Sequence, residues 1–345
     1  MKTVVFRTDG SSKIGSGHIV RCITLAKLLA SENWTIEFAC EKSSLNLVNN
    51  LILNEDYAIS ILNGDDFQQF TQLKLTHKEG INLLVVDSYA IDEKFEGLCR
   101  PWAKIIMAID DLANRNHDVD ILLDQTFGRK STDYNSLVPE RCKTLIGANY
   151  ALLRSEFSFY REKTLSKRLI NFKVDKVLVT LGSSDPENIT LTVLKMISRL
   201  KIDINTVVVL GANAPYLEIV RNFIKRSSKI KLLVDATDMA KIMAESDFAI
   251  GAGGVTSLER CCLGLPSITI VTANNQSLLA KNLFINKSQN TIDFDNRADS
   301  IKITSEIRRI YEDVELRKKM SIQGSKVCDG RGALRVLEAI EEICN

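Results

Sequence analysis

The chain has no excess of charge of either sign: 45 basic residues stand against 43 acidic ones, a formal net charge of +2. That balance removes the electrostatic case for nucleic acid as the main partner. No apolar run approaches the roughly 18 residues that a membrane span requires. The N-terminus does not read as a signal peptide, because Arg7 and Asp9 break the first apolar run after a few residues. None of the eight cysteines (Cys22, Cys40, Cys99, Cys142, Cys261, Cys262, Cys328 and Cys344) forms a C-x-x-C pair. Several fall on apolar faces, which argues against zinc and against a disulfide framework. The expectation is a cytoplasmic protein with reduced thiols, no metal and no cofactor. What remains is an ordinary globular composition, 45% hydrophobic and 26% charged, in 345 residues. That length suggests two domains.

The first turn is the most informative stretch. The apolar run Thr3–Phe6 leads into Arg7-Thr8-Asp9-Gly10-Ser11-Ser12-Lys13-Ile14-Gly15-Ser16-Gly17-His18, and a helical pattern follows from Ile19 to Ala30. A strand, a small-residue loop and a helix in that order form a pocket for an anion, since a helix start offers unpaired N–H groups and partial positive charge. Gly15 and Gly17 let backbone approach a ligand, and Arg21 lies one turn into the helix. His18 stands where the helix begins, and an imidazole there is suited to accept a proton. Gly15-x-Gly17 without a third glycine is a poor dinucleotide fingerprint.

Apolar strand-like runs then alternate with amphipathic helices as far as about residue 150. Runs that are apolar throughout are covered on both faces, as in a parallel sheet flanked by helices. This alternation predicts a doubly wound α/β domain, with ligands outside the carboxyl ends of the strands. Those ends carry Asp9, Asp87 and Asp110-Asp111, in a spacing that defines no metal ligand set. A domain over 1–155, a linker over 156–175 and a second domain over 176–345 are expected. The linker is charged but contains Phe157, Phe159 and Tyr160, which call for burial in a short helix.

The second half restarts the pattern. Val177–Leu181 is followed by Gly182-Ser183-Ser184-Asp185-Pro186-Glu187-Asn188 and a helix, a second candidate anion or sugar site on Ser183 and Asp185. Further on, a strand ends in Gly251-Ala252-Gly253-Gly254-Val255, and Thr256-x-x-Glu259 has the spacing of a capping box. Amides of Gly253, Gly254 and Val255 would face a diphosphate, and Glu259 would cap the helix or accept from ribose hydroxyls. Gly264 is expected to close that helix. Asn275 and Gln276 follow the next strand and would line the same cleft between the two domains. Residues 298–313 and 315–344 read as two helices, with Arg331 and Arg335 on a solvated face or packed back against the first domain.

Arg7-x-Asp9-x-Ser11-x-x-Ile14-Gly15-x-Gly17-His18-x-x-Arg21-Cys22-x-x-Leu25-Ala26 resembles the opening signature of the PseG family. Asp87-Ser88-Tyr89-x-Ile91, Leu181-Gly182-Ser183-Ser184-Asp185-x-x-Asn188 and the stretch from Gly253 through Glu259 to Pro266 and Asn275-Gln276 extend the likeness. Members are UDP-sugar hydrolases that release 2,4-diacetamido-2,4,6-trideoxy-L-altrose in pseudaminic acid biosynthesis. The resemblance implies a GT-B-like α/β fold, two Rossmann-type doubly wound domains facing across a cleft, related to MurG-type glycosyltransferases. It implies metal-independent cleavage of the anomeric C–O bond with inversion, water being the acceptor. By the same resemblance His18 is the general base, Tyr89 and Asn275 belong to the sugar site, and Glu259 holds the nucleotide. A MurG-like transferase and a non-catalytic sugar-nucleotide binder are the alternatives.

Overall fold

The computed structural model describes residues 2–10, 15–170, 173–225, 227–293 and 297–344. It divides into two compact units, Met1–Leu153 with Arg331–Asn345, and Arg154–Gly330.

Unit 1 runs β1 (Thr3–Thr8), α1 (Gly17–Ser31), β2 (Thr35–Glu41), α2 (Leu45–Ile52), β3 (Ala58–Leu62), α3 (Asp66–Thr76), β4 (Ile81–Asp87), α4 (Glu93–Cys99), β5 (Ala103–Ile109), β6 (Ile121–Asp124) and β7 (Lys143–Ile146). The seven strands form one sheet in the order β3-β2-β1-β4-β5-β6-β7, parallel throughout. The apolar runs are explained by two covered faces. Val4 and Phe6 of β1 pack with Ile19, Cys22, Leu25 and Leu29 of α1. Val5 between them joins Phe95, Trp102 and Leu84 on the other face. Leu25 is fully buried, and truncating such a side chain to alanine typically costs about 2–5 kcal/mol. β7 was not foreseen; it is short, partly polar and at the sheet edge.

Unit 2 runs α5 (Ser155–Ile170), β8 (Lys176–Thr180), α6 (Ile189–Leu200), β9 (Asn205–Leu210), α7 (Leu217–Ile224), β10 (Ile230–Val234), α8 (Met239–Glu245), β11 (Phe248–Ala252), α9 (Thr256–Cys262), β12 (Ser267–Val271), α10 (Ser277–Ile285), β13 (Asn290–Asp293), α11 (Arg297–Glu312) and α12 (Val314–Ser325). Its six parallel strands are ordered β10-β9-β8-β11-β12-β13. Val177, Val179, Val208, Phe248, Ile250 and Ile268 pack with α6, α7 and α11 residues on one face. Each sheet therefore reverses direction of growth once, between β1 and β4 and between β8 and β11. That switch point is where open α/β sheets bind ligands.

Both ends of the expected second domain are redrawn. The stretch 156–175 is mostly α5, which belongs to unit 2 rather than linking two units. Buried Phe157 and Thr164 anchor it, and Arg161 donates to the carbonyls of Cys262, Cys328 and Ser325. Phe159, expected to be buried, is 78% exposed. The last helix, α13 (Gly332–Cys344), belongs to unit 1, so 298–344 holds three helices rather than two. Ala333, Val336 and Ile340 join the α1 face of that core. Gly332 allows the approach, because a Cβ there would stand 2.4 Å from the backbone of Ala151. Arg335 donates to the carbonyl of Asn149 at 2.9 Å. Among the described residues no helix is long and apolar enough to cross a membrane.

Candidate active site

The first site lies in unit 1, on the loops that follow β1 and β4. Thr8 at the end of β1 is paired in register with Asp87 at the end of β4. The first loop and helix therefore emerge beside a carboxylate from a distant part of the chain. α1 brings three side chains to it from one face, His18, Arg21 and Cys22, at the i, i+3 and i+4 spacing that makes helical residues neighbours. His18 Nδ1 lies 2.5 Å from Asp87 Oδ1. Arg21 forks onto the same group, Nη2 to Oδ1 at 2.5 Å and Nε to Oδ2 at 2.6 Å. The Cys22 thiol donates to Oδ2 at 3.5 Å. All four residues are buried.

Burial by itself would favour a protonated Asp87. The Arg21 guanidinium and His18 outweigh it and hold the carboxyl well below its usual range. An ionised carboxylate only accepts, so the proton between Asp87 and His18 is assigned to Nδ1. With Nδ1 turned to Asp87, Nε2 is the ring nitrogen that is left to face a ligand. This is the arrangement of a base oriented by an acid, and it comes from three helical positions meeting one strand end. Arg21 also reaches Asp111 Oδ2 through Nη1 at 3.2 Å, and the other Asp111 oxygen is buried with no hydrogen-bond partner among the described residues. The Tyr89 ring meets His18 edge to face, 4.6 Å between centroids. Gly15 takes φ of 86°, a conformation that favours glycine, and Gly17 opens α1, where no side chain caps the helix among the described residues. Ser11 and Ile14 of the motif lie outside the described residues.

The other acids at these strand ends are committed. Asp9 pairs with Arg7 and accepts from the Glu41 amide at 2.8 Å and the Ser44 hydroxyl at 3.1 Å. Asp110 accepts from Arg115 at 2.7 Å and from the Tyr134 hydroxyl at 2.9 Å. Asp124 holds Arg129 at 2.6 Å. Among the described residues no group of three His, Cys, Asp or Glu could hold a metal ion.

The second site lies in unit 2, on the loop between β11 and α9. Fully buried Arg260 supports it from below, Nη2 donating to Ala252 O and Ser257 Oγ at 2.9 Å and to Thr269 Oγ1 at 3.1 Å. A Cβ on Gly251 would come within 2.4 Å of Arg260 Nη1, which is why a glycine stands there. The Gly253 amide, expected to face a ligand, donates to Gln276 Oε1 at 3.2 Å, and the Thr272 amide donates to the same oxygen at 3.1 Å. Gln276 thus straps the glycine loop to the turn after β12. A Cβ on Gly254 would meet nothing within 4 Å. Asn275 is exposed on that turn, a 3₁₀ segment over Asn274–Gln276.

Glu259 is not a cap. α9 starts after Val255 with no side-chain cap hydrogen bond, and the expected capping box is absent because Glu259 faces Arg154, Nη2 at 3.4 Å from Oε1. Burial raises the Glu259 carboxyl above its usual value, and Arg154 offsets part of that rise. Gly264 does close α9. It has φ of 56°, its amide reaches Cys261 O at 2.9 Å, and the Leu265 amide reaches Arg260 O at 2.8 Å, the paired bonds of a Schellman ending.

The loop after β8 differs from expectation. Asp185 is buried and its two oxygens accept from the Ile189 and Thr190 amides at 3.0 and 2.9 Å. The anion at the start of α6 is the protein's own carboxylate. Ser183 is exposed, and its carbonyl accepts from the Gly211 amide at 2.8 Å. Sequence reasoning singled out His18 and Arg21 but not the role of Asp87 as their common partner, nor Arg260 and Arg154. The visible signal for Asp87 was a lone acid ending an apolar strand.

Residues 176–330 match the Glycosyltransferase family 28 C-terminal domain. A relative from Campylobacter jejuni, UDP-2,4-diacetamido-2,4,6-trideoxy-beta-L-altropyranose hydrolase, is 31% identical over 245 residues, which cover 71% of this chain and 82% of its own. The spore coat polysaccharide biosynthesis protein SpsG of Bacillus subtilis is 25% identical over 342 residues, 97% of this chain and 96% of its own. Among solved structures, MurG of Acinetobacter baumannii has a TM-score of 0.70 at 12% identity, covering 99% of this chain and 100% of that one. That likeness carries the GT-B fold and nothing more. With the motifs, the sheet order and these relatives together, the chain belongs to the PseG family of UDP-sugar-processing enzymes built on the GT-B fold.

Proposed function

We propose that this protein is a UDP-sugar hydrolase that releases UDP and a free 2,4-diacetamido-2,4,6-trideoxy sugar, in pseudaminic acid or a related surface-sugar pathway. The observation that carries the reading is the 2.5 Å contact of His18 Nδ1 with ionised Asp87, which leaves Nε2 as the acceptor. Water gives a proton to Nε2 as its oxygen bonds to the anomeric carbon. The C–O bond to the diphosphate breaks on the opposite face, its electron pair leaves with UDP, and configuration inverts. Asp87 stabilises the imidazolium that forms, with Arg21 keeping the carboxylate ionised. General-base assistance of this kind contributes about 10² to 10⁴ in rate.

Unit 2 holds the nucleotide in this reading. Gly254 and Val255 offer backbone to the diphosphate, and Glu259 accepts from ribose once Arg154 yields. Tyr89 and Asn275 contact the sugar, and Gly15 and Gly17 give it backbone room. In this reading UDP leaves without a metal, its charge met by helix N-termini and backbone donors. The match to a glycosyltransferase C-terminal domain favours a second reading, transfer of the sugar to a hydroxyl acceptor on the same scaffold.

One assay separates the readings. The protein is incubated with UDP-linked 6-deoxy diacetamido sugars, no acceptor and EDTA, and free UDP is measured. Catalytic release of UDP and reducing sugar is expected. Release only when an acceptor is supplied would establish transfer instead, and activity restored by Mg²⁺ or Mn²⁺ would overturn the metal-independent step.

A further inference from the structure

The Tyr89 ring that meets His18 stands on a turn rather than on a regular element. β4 ends at Asp87 and α4 starts at Glu93, so residues 88–92 have no strand or helix ladder to hold their backbone. The turn closes on itself through one long bond, the Ile91 amide to Ser88 O at 3.4 Å, beyond the usual N–H···O range. Ser88 and Ile91 are both buried, and carbonyls in such places call for a donor.

Both carbonyls find the same one. Arg115 donates Nε to Ile91 O at 2.8 Å and Nη2 to Ser88 O at 3.2 Å, while its Nη1 reaches Asp110 Oδ1 at 2.7 Å. The planar guanidinium fixes these three directions relative to one another. Its counter-charge is fixed in turn, since Asp110 Oδ2 accepts from the Ala113 amide and the Tyr134 hydroxyl, each at 2.9 Å. Burial alone would raise the Asp110 carboxyl, but Arg115 and the Ala113 amide outweigh it and hold the group below its usual range. Asp110 follows β5, the parallel neighbour of β4. The turn after one strand is thereby clamped to the end of the next. A second tie, the Glu93 amide to Asn116 O at 3.1 Å, lies past the turn, at the start of α4. The Tyr89 ring, 4.6 Å from the imidazole between centroids, limits how far His18 can turn away from Asp87.

We propose that Arg115 is a positioning residue: by holding the carbonyls of Ser88 and Ile91 it fixes the Tyr89 ring against His18, and so the imidazole against Asp87. Its effect on rate rests on the hydrolase reading; its effect on the contact between Tyr89 and His18 does not.

The test uses the full chain grown with isotopically labelled histidine and read by NMR. The chain has three histidines, and the His18 ring signals are assigned by their loss in His18→Asn. Tyr89→Leu should move those signals, because it removes the ring current beside them. Arg115→Lys keeps a positive charge for Asp110, but one ammonium cannot serve the carboxylate and both carbonyls along the directions of the guanidinium. In this variant the His18 signals should move in the same sense as in Tyr89→Leu, while those of His77, which is bonded to Glu37, stay in place. Arg115→Gln, which serves one carbonyl at most, is a second variant read in the same way, and melting curves show that each is folded. In turnover, Arg115→Lys should lower kcat for UDP release by up to about 10²-fold and leave the Kd for UDP within a few-fold of wild type. An Arg115→Lys/Tyr89→Leu double variant should lose no more than Tyr89→Leu alone, because residues that act through one another are not additive. His18 signals at their wild-type positions in the folded Arg115 variants, or losses in kcat that sum in the double variant, would make Arg115 a structural tie only and overturn the proposal. If the wild type releases no UDP from any UDP-sugar, the hydrolase reading fails, and the spectra still decide whether Arg115 places Tyr89.

Discussion

In unit 1 the loops at the sheet's switch point carry charge: His18, Arg21 and Cys22 converge on one buried carboxylate. In unit 2 the loop after β11 carries glycine, and the buried Arg260 beneath it holds backbone and hydroxyl oxygens in shape. The two sheets have the same strand order relative to their switch points, so topology does not account for the difference. Loop chemistry does. The first loop sets an imidazole against an ionised carboxylate; the second sets a glycine turn beside a buried glutamate. On the function proposed above, a shared scaffold gives chemistry to one unit and recognition to the other, through residues that break the apolar pattern.

Asp87→Asn should have the largest effect, because it removes both the orienting acid and the partner of Arg21. The rate constant kcat should fall by about 10² to 10⁴, and leaving buried Arg21 with Asp111 as its remaining carboxylate should destabilise the fold by less than the roughly 3–5 kcal/mol of a fully broken buried pair. UDP affinity, measured by calorimetry below the variant's melting temperature, should stay within a few-fold of wild type. A variant that loses UDP affinity and keeps kcat would erase the division between the units. Gly251→Ala attacks unit 2 through shape. The added methyl meets Arg260, and overpacking of this kind costs about 1–3 kcal/mol, readable as a lower denaturation midpoint with weaker UDP binding. A smaller effect is expected for Glu259→Ala: UDP binding about tenfold weaker, the loss of a hydrogen bond to a charged group, with little change in kcat. Unchanged UDP affinity would make Glu259 a purely structural partner of Arg154.

The pH dependence sharpens the contrast, because the two buried acids are shifted in opposite directions. Asp87 is held low, so its contribution to stability is present above the ordinary carboxylate range and lost as pH falls through its folded value. Glu259 is held high, so its folded state favours the proton. Its contribution is greatest below the ordinary carboxylate range and lost as pH rises through its folded value. Glu259→Gln should therefore reduce the loss of stability on going from mildly acid to neutral pH, as seen in urea midpoints. A steeper loss in that window would contradict the assignment.

Much of the fold was legible because buried parallel strands announce themselves as continuous apolar runs: Val4–Phe6, Leu83–Val86 and Ile268–Val271 leave few alternatives. β7 and β13 were missed because each is four residues long, partly polar and at a sheet edge. α5 looked like a linker because its exposed face is charged, while the arginines that anchor it bind backbone carbonyls, which leave no mark in a sequence. His18 and Arg21 were legible from local spacing. Asp87 was not, since only the adjacency of β1 and β4 brings residues 69 positions apart together. Asp185 and Gln276 were read as ligand contacts because acids and amides in glycine loops suit both roles; the structure uses them to hold the loops themselves.

The central claim is that His18 performs the chemical step and contributes little to holding UDP. His18→Asn keeps a polar group of similar size at the start of α1 but supplies no nitrogen base. Measured as kcat for UDP release together with the Kd for UDP, the account predicts a loss of about 10² to 10⁴ in kcat and a Kd within a few-fold of wild type. Turnover near the wild-type rate, with or without a change in UDP affinity, would contradict it.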